Sequence, residues 1–217
     1  WTSNFSFYYA HHMTTIEGGM ICTNDKSAYN KLLMLRSHGM AREIKDKKIR
    51  KIIIKKNKNL NPDFIFMYPA FNVRNNEIGG ILGLSQLKRL NKNILKRNSN
   101  FRFFLQKIDK NAFFTDFDLK GSSNYAFNLI LKKKNPIKML KICNALKKNK
   151  IEFRKGSAGG GNQVGQPYIP NFLKKKYLKK LKITNHVHNY GMYIGNYPEL
   201  KKNQIQKIVN IINRSIL

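Results

Sequence analysis

Acidic side chains are scarce in this sequence: 11 Asp and Glu stand against 42 Lys and Arg in 217 residues, a formal charge of +31. An excess of that size first suggests nucleic acid. Yet the lysines are spread among Asn and Ile, as in Lys47-Lys48-Ile49-Arg50-Lys51-Ile52-Ile53-Ile54-Lys55-Lys56-Asn57-Lys58-Asn59. A bias so even, of the kind an AT-rich genome imposes, marks no single binding face, and no nucleic-acid partner is expected. Cysteine is nearly absent. Cys22 and Cys143, far apart, exclude a disulfide framework or a paired-thiol zinc site, and both read as ordinary buried thiols. No apolar run approaches the roughly 18 to 20 residues of a membrane span, and no basic-then-apolar opening resembles a secretion signal. The expectation is therefore a cytoplasmic protein without a membrane partner. An initial Met is also lacking: the chain opens on Trp1, and Thr2-Ser3-Asn4-Phe5-Ser6-Phe7-Tyr8 reads as a strand already under way, so a natural N-terminal part is expected to be absent.

What is present suffices for one large domain or two small ones, with 41% hydrophobic and 12% aromatic residues. Residues 2–9 and 18–23 have the β-branched and aromatic content of short buried strands, separated by the polar segment His11 to Glu17. Thr23-Asn24-Asp25 supplies capping side chains for a helix carrying Tyr29, Leu32, Leu33 and Leu35 on one face, which Gly39 can end. From Met40 to Pro62 the lysine-rich stretch reads as a loop or a solvated helix. Asn75-Asn76-Glu77 opens the most periodic segment, in which Ile78, Ile81, Leu82, Leu87, Leu90, Ile94 and Leu95 form one stripe of a long helix bridging two domains. Beyond it come a strand at Asn124–Leu131, a helix from about Pro136 to Asn149, a short strand at Ile151–Phe153 and a glycine-rich loop, Gly156 to Gly165. A second strand near Val187–Ile194 and a final helix from Pro198 to Ile212 complete an alternating α/β unit.

The densest collection of reactive groups is Ser6-Phe7-Tyr8-Tyr9-Ala10-His11-His12-Met13-Thr14-Thr15-Ile16-Glu17-Gly18-Gly19-Met20. Imidazole alone has an unperturbed pKa near neutrality, so a histidine at a strand end can take and return a proton. A structural histidine or a metal pair is the alternative use of the same residues.

This segment resembles the active-site stretch of the DegT/DnrJ/EryC1/StrS sugar aminotransferase family: Ser-Phe, three residues, Lys, then a Gly-Glu-Gly-Gly or Gly-Asp-Gly-Gly turn and a strand ending Thr-Asn-Asp. Ile16 departs from the family's glycine before Glu17. Further matches lie at Leu35-Arg36-Ser37-His38-Gly39-Met40-Ala41-Arg42 and at Tyr68-Pro69-Ala70-Phe71-Asn72-Val73-Arg74-Asn75-Asn76-Glu77-Ile78, followed by Gly83-Leu84-Ser85-Gln86-Leu87. The resemblance implies the C-terminal portion of an α/β, fold-type I pyridoxal-phosphate enzyme. Residues 1–88 would be the remainder of the large cofactor-binding domain and residues 89–217 a small C-terminal α/β domain.

By the same resemblance Ser6 holds the cofactor phosphate, and His11 falls where the family's lysine attaches the cofactor. Asn72 reaches the phosphate of the neighbouring subunit across a homodimer with shared active sites. Imidazole cannot form the stable imine that a lysine amine forms, so the chain is similar to the family's histidine-for-lysine 3-dehydratase subgroup. That subgroup uses pyridoxal and pyridoxamine phosphate, with glutamate as amine donor, to make 3,6-dideoxysugars from nucleotide-linked 4-keto-6-deoxyhexoses. One branch carries an iron–sulfur cluster. Met40-Ala41-Arg42-Glu43-Ile44 offers no cysteine, so the cluster-free branch is the match and no cluster is expected.

Other candidates are weighed beside these. His12 could be the base instead of His11, but spacing from Ser6 favours His11. His186-Val187-His188 on a strand would put both rings on one side, a possible metal pair, but without a third ligand close in sequence no metal is expected. In relatives the stretch from His188 to Asn196 approaches the active-site entrance, which makes His188 a candidate substrate contact. Arg154, at the head of a loop that is either flexible or phosphate-cradling, is another. His38 and Arg42 follow a helix end, where capping or exposure would explain them, and the family's Arg-Ser-His-Gly stretch makes both substrate contacts. Without upstream residues the chain by itself is expected to be inactive. Amine transfer in the same family is the alternative activity. A non-catalytic relative that binds polyanions is the alternative of another class.

Overall fold

In the computed structural model, residues 1–156, 161–169 and 180–217 are described. They form two compact units, Trp1–Arg89 and Leu90–Leu217.

The first unit opens with strand β1 (Thr2–Ser6) paired antiparallel with β2 (Gly19–Thr23), Ser6 opposite Gly19 and Thr2 opposite Thr23. Helix α1 (Lys26–Leu35) begins at Asp25, whose carboxylate accepts from the Ala28 N–H at 3.0 Å. That bond, with a second from the Ser27 backbone, holds the Asp25 carboxyl below its ordinary range. The lysine-rich stretch contains a short 3-10 turn (Ala41–Glu43) and helix α2 (Lys47–Lys56), capped by Asp46. The unit's core is small: Leu33, Met34, Met40, Ala41, Ile44 and Ile65. The strands expected to be buried lie open, with Phe5, Met20 and Ile21 about half exposed, and Cys22 is exposed rather than buried. Apolar alternation indicates that a strand must be covered, but not by what.

Helix α3 (Glu77–Lys107) begins in the first unit and ends in the second. It extends twelve residues past Leu95, because Phe101, Phe104 and Ile108 continue the helical spacing into a core. Upstream, the predicted stripe is not buried: Ile78, Ile81, Leu87 and Leu95 are exposed.

The second unit holds the main core. Strands β3 (Ala126–Ile130), β4 (Arg154–Lys155) and β5 (Gly191–Gly195) form a sheet in the order β3-β5-β4, with β5 antiparallel to both neighbours. Phe127, Leu129, Met192 and Ile194 point to one face and pack on α3, on α4 (Pro136–Lys148) and on α6 (Lys202–Ser215). Phe104 stacks on Phe127 with ring centroids 4.6 Å apart. Cys143 lies here as expected, and burial pushes its thiol up. Pro136 starts α4 behind Asn135, whose side chain accepts from the Lys138 N–H at 2.8 Å. Asn196 locks the start of the last connection: its amide donates to Arg97 O at 2.9 Å and Asn124 O at 2.7 Å, while Arg97 Nε donates back to Asn196 O at 3.0 Å.

Two strand assignments from the sequence are corrected. Ile151–Phe153 packs on the core without pairing, and β4 is Arg154–Lys155. Val187–Tyr190 belongs to helix α5 (Lys182–Tyr190), and β5 starts only at Gly191. The β-branched Ile183, Thr184 and Val187 favour a strand locally, but packing against the sheet overrides that weak preference. Gly191 makes the switch: its N–H closes the helix on Val187 O, which a Cβ there would approach to 2.5 Å. The last helix starts at Lys202 rather than Pro198. Of the glycine-rich loop, residues 157–160 lie outside the described residues.

Candidate functional site

The β1–β2 ladder is extended by Phe7, whose N–H donates to Gly18 O at 2.9 Å, and Thr15 N–H donates to Phe7 O at 2.9 Å. Residues Tyr8 to Glu17 are thereby held as a closed loop beyond the strands. Ser6 stands at its foot, with Oγ 3.4 Å from the Tyr8 N–H. His11 is carried on a tight turn, its N–H donating to Tyr8 O at 3.0 Å and its ring set edge-on to Tyr8, centroids 5.9 Å apart. The His11 side chain is exposed; His12 is half-buried with its Nε2 shielded from solvent. Of the two imidazoles, His11 is the accessible one.

The loop is braced by its own threonines. Buried Thr15 donates from Oγ1 to Glu17 O at 2.8 Å, and Thr14 Oγ1 accepts from the Ile16 N–H at 3.0 Å. A Cβ on Gly18 would meet Thr15 Oγ1 at 2.6 Å and Asn75 Nδ2 at 3.6 Å, and one on Gly83 would meet Thr15 Cγ2 at 3.5 Å. The loop thus sits against Asn75 and the first turns of α3, the segment that follows Asn72. The doublet of threonines ahead of Glu17-Gly18-Gly19 was the available signal.

Ile16 has φ 73 with its side chain 68% exposed. A β-branched residue in the left-handed region costs about 1–2 kcal/mol, and a side chain this exposed buries little surface to set against it. Ile16→Gly is therefore expected to raise stability by about 1 kcal/mol, net of glycine's larger chain entropy. The urea midpoint should move up at unchanged slope; a lower midpoint would show that the side chain makes a contact outweighing the strain.

Asn72 and His38 come together through backbone pairing. Ser37 and Asn72 form an antiparallel bridge, His38 N–H donates to Phe71 O at 2.9 Å, and Val73 N–H donates to Arg36 O at 2.8 Å. Asn72 Oδ1 accepts from Arg74 Nε at 3.1 Å, which turns the amide's two N–H donors away from that partner. His38 lines a shallow hollow with Tyr68 and Pro69. Arg42 is engaged locally: Nε lies 3.8 Å from Glu43 Oε1 and the guanidinium 5.2 Å over the Phe64 ring.

Arg154 and His188 belong to the second unit. His188 Nδ1 accepts from the Asn162 N–H at 3.1 Å, and a Cβ on Gly161 would meet that ring at 2.2 Å, so the histidine anchors the far end of the glycine-rich loop. His186 instead pairs with Leu131 O at 2.6 Å. On a helix these two rings point about 200° apart rather than to one side, which removes the geometry a metal pair needs. Among the described residues no group of three or more His, Cys, Asp or Glu could hold a metal ion. Also among them, no helix is long and apolar enough to cross a membrane. The Arg154 guanidinium is held above its ordinary range chiefly by its electrostatic interaction with Tyr193, its partner across the β4–β5 register.

An α/β architecture with a histidine-bearing loop at the mouth of a strand pair defines a class, and residues 2–213 match the model of the DegT/DnrJ/EryC1/StrS aminotransferase family. The chain belongs to that family. It is 29% identical over 223 residues to the GDP-4-keto-6-deoxy-D-mannose 3-dehydratase of Yersinia pseudotuberculosis, covering 97% of this chain and 53% of that protein. To the enzyme of the same name from Escherichia coli O55:H7 it is 31% identical over 203 residues, 89% of this chain and 49% of the relative. A solved GDP-4-keto-6-deoxymannose-3-dehydratase with a trapped PLP-glutamate geminal diamine superposes with a TM-score of 0.74 at 25% identity, covering 97% of this chain and 54% of that one. The E. coli enzyme with bound hydrated PLP gives 0.70 at 26% identity, over 97% and 54% of the two chains. The chain spans about half the length of the curated relatives it matches. These structures have the α/β fold expected from the sequence.

Proposed function

We propose that the protein acts in the PLP- and PMP-dependent 3-dehydration of a nucleotide-linked 4-keto-6-deoxyhexose, a step toward 3,6-dideoxysugars of lipopolysaccharide or capsule. The single observation that carries this reading is the accessible imidazole of His11 on the braced loop, at the place where the family pattern has lysine. The similarity to two 3-dehydratases over nearly the whole chain supports it.

The residues present fit the coenzyme. Ser6 offers a hydroxyl at a strand end beside the glycine pair, and Asn72 offers amide donors for a phosphate. In our reading Asn72 serves the neighbouring subunit of a cytoplasmic homodimer. When bound, the coenzyme supplies the electron sink that sugar deoxygenation requires. His11 takes a proton at the coenzyme's C4′ and, as imidazolium, gives one to the oxygen leaving sugar C3. Imidazole forms no lasting covalent bond to the coenzyme, so it remains free for both transfers. His38, Arg42 and Arg154 contact the substrate, and His188 acts through the loop it pins; glutamate restores the amine form.

Incubating the protein with GDP-4-keto-6-deoxymannose, PLP and glutamate should yield a sugar one oxygen poorer at C3, with 2-oxoglutarate formed in step. A 4-amino sugar as the main product would assign amine transfer instead. Unchanged sugar across a panel of nucleotide-linked 4-keto-6-deoxyhexoses would remove the proposal.

A further inference from the structure

The two helices that cover the buried face of the second unit's sheet, α4 and α6, contain no Asp or Glu, and between Leu119 and Ile151 the chain has nine lysines and no acid. Helical spacing sorts the residues of α4 into two sides. Met139, Ile142, Cys143 and Leu146 are buried in the core, so Ile137, Lys141, Asn144 and Lys148 look outward, with Leu140 and Lys147 along one flank. Ile137 is 69% exposed and Leu140 61%. We propose that this outer face of α4 docks on the surface of an anionic phospholipid bilayer, with the lysines on the headgroup phosphates and the two aliphatic side chains in the headgroup boundary.

The charge here is more than the helix itself requires. Lys147 and Lys148 suit the negative end of the α4 dipole, but Lys132, Lys133 and Lys134 stand ahead of its positive end, where the first turn has no acid. All five are exposed, and among the described residues the salt bridges are Arg42–Glu43 and Arg50–Asp63, so the face keeps its charge for an outside partner. Clusters of about four to eight basic side chains on an amphipathic helix are what anionic headgroups attract. The aliphatic pair selects among polyanions. A nucleic acid offers phosphates to the lysines but little to Ile137 and Leu140, and α4 has no aromatic ring on which a base could stack. The boundary between headgroups and acyl chains accommodates both kinds of side chain. Such docking needs no spanning segment, and among the described residues no helix is long and apolar enough to be one.

The assignment concerns the second unit alone and needs neither His11 nor a coenzyme; it goes beyond the reading above by adding a surface on which the protein works. The test is co-sedimentation of the full chain with phosphatidylcholine vesicles containing about 30% phosphatidylglycerol, at 0.15 M salt, where diffuse attraction to a charge of +31 is screened over about 8 Å. Binding at least tenfold tighter than to phosphatidylcholine alone is expected. Lys141→Glu with Lys148→Glu should weaken it at least tenfold, and Ile137→Ser with Leu140→Ser severalfold. Lys92→Glu with Lys96→Glu, the same change of charge on exposed lysines of α3, should leave it within about twofold. Lys141→Gln with Lys148→Gln serves if the reversed variant does not fold. Equal losses from the α3 and α4 reversals, or vesicle binding indifferent to the Ile137 and Leu140 changes, would reduce the effect to overall charge and overturn the proposal. A short single-stranded RNA bound more tightly than the vesicles at equal phosphate concentration, with the same dependence on Lys141 and Lys148, would overturn it in favour of nucleic acid.

Discussion

Exchange of His11 for asparagine is expected to lower kcat for 3-dehydration by about 10²- to 10⁴-fold, the range that a positioned proton-transfer group contributes. Asparagine keeps a similar size and a hydrogen-bonding end but does not titrate, so the change removes the proton carrier with little else. The backbone bond that fixes the turn, His11 N–H to Tyr8 O, does not involve the side chain and should survive. KM should therefore move far less than kcat. The complementary variant, His11→Lys, restores an amine that can attach the coenzyme covalently. Its expected signature is a change in the coenzyme's visible absorbance, together with a shift of product from deoxygenated to aminated sugar. If both variants keep full deoxygenation and the absorbance of the lysine variant is unaltered, position 11 does not face the coenzyme, and half-buried His12 becomes the residue to test.

The elements that were legible in the sequence are those whose determinants are local. Asp25 and Asn135 cap α1 and α4 as their side-chain chemistry requires, and the β1–β2 pair flanks the histidine loop where the polar segment interrupts two apolar runs. The misread elements were decided at a distance. Val187 prefers extended backbone, yet α5 packs beside a sheet that includes β3, more than fifty residues upstream. His186 and His188, two apart, looked like a strand pair; once helical, one is bonded to Leu131 and the other to Asn162. Position 16 shows the reverse. The departure from the family's glycine is visible in the sequence, but only the structure shows that the backbone there is left-handed, at φ 73, a conformation glycine adopts without cost. Of the candidate site, the hairpin loop was readable as a block, whereas the juxtaposition of His38 with Asn72 rests on backbone pairing between segments over thirty residues apart.

That pairing depends on one atom not being present. Gly39 has φ 77, and a Cβ there would lie 1.9 Å from Tyr68 O and 2.9 Å from Tyr68 C, backbone atoms that cannot rotate aside. Around it run the bonds that join the two segments: Met67 N–H to Gly39 O at 2.8 Å, Gly39 N–H to Met34 O at 2.8 Å, and His38 N–H to Phe71 O at 2.9 Å. Gly39→Ala adds the left-handed penalty of about 1–2 kcal/mol to an overlap relieved only by parting the strands, so a loss on the order of 3 kcal/mol is expected. Gly121 provides the comparison: its φ is 71, but no heavy atom lies within 4 Å of its would-be Cβ, so Gly121→Ala should cost only the conformational part, about 1 kcal/mol. Urea unfolding of the two variants separates the contributions. Because Asn72 is bridged to Ser37, two residues before Gly39, the Gly39 variant should also bind the coenzyme more weakly, and the Gly121 variant should not. Similar losses of stability in both would mean that the close approach to Tyr68 relaxes freely, and that the geometry joining His38 to Asn72 does not depend on the missing side chain.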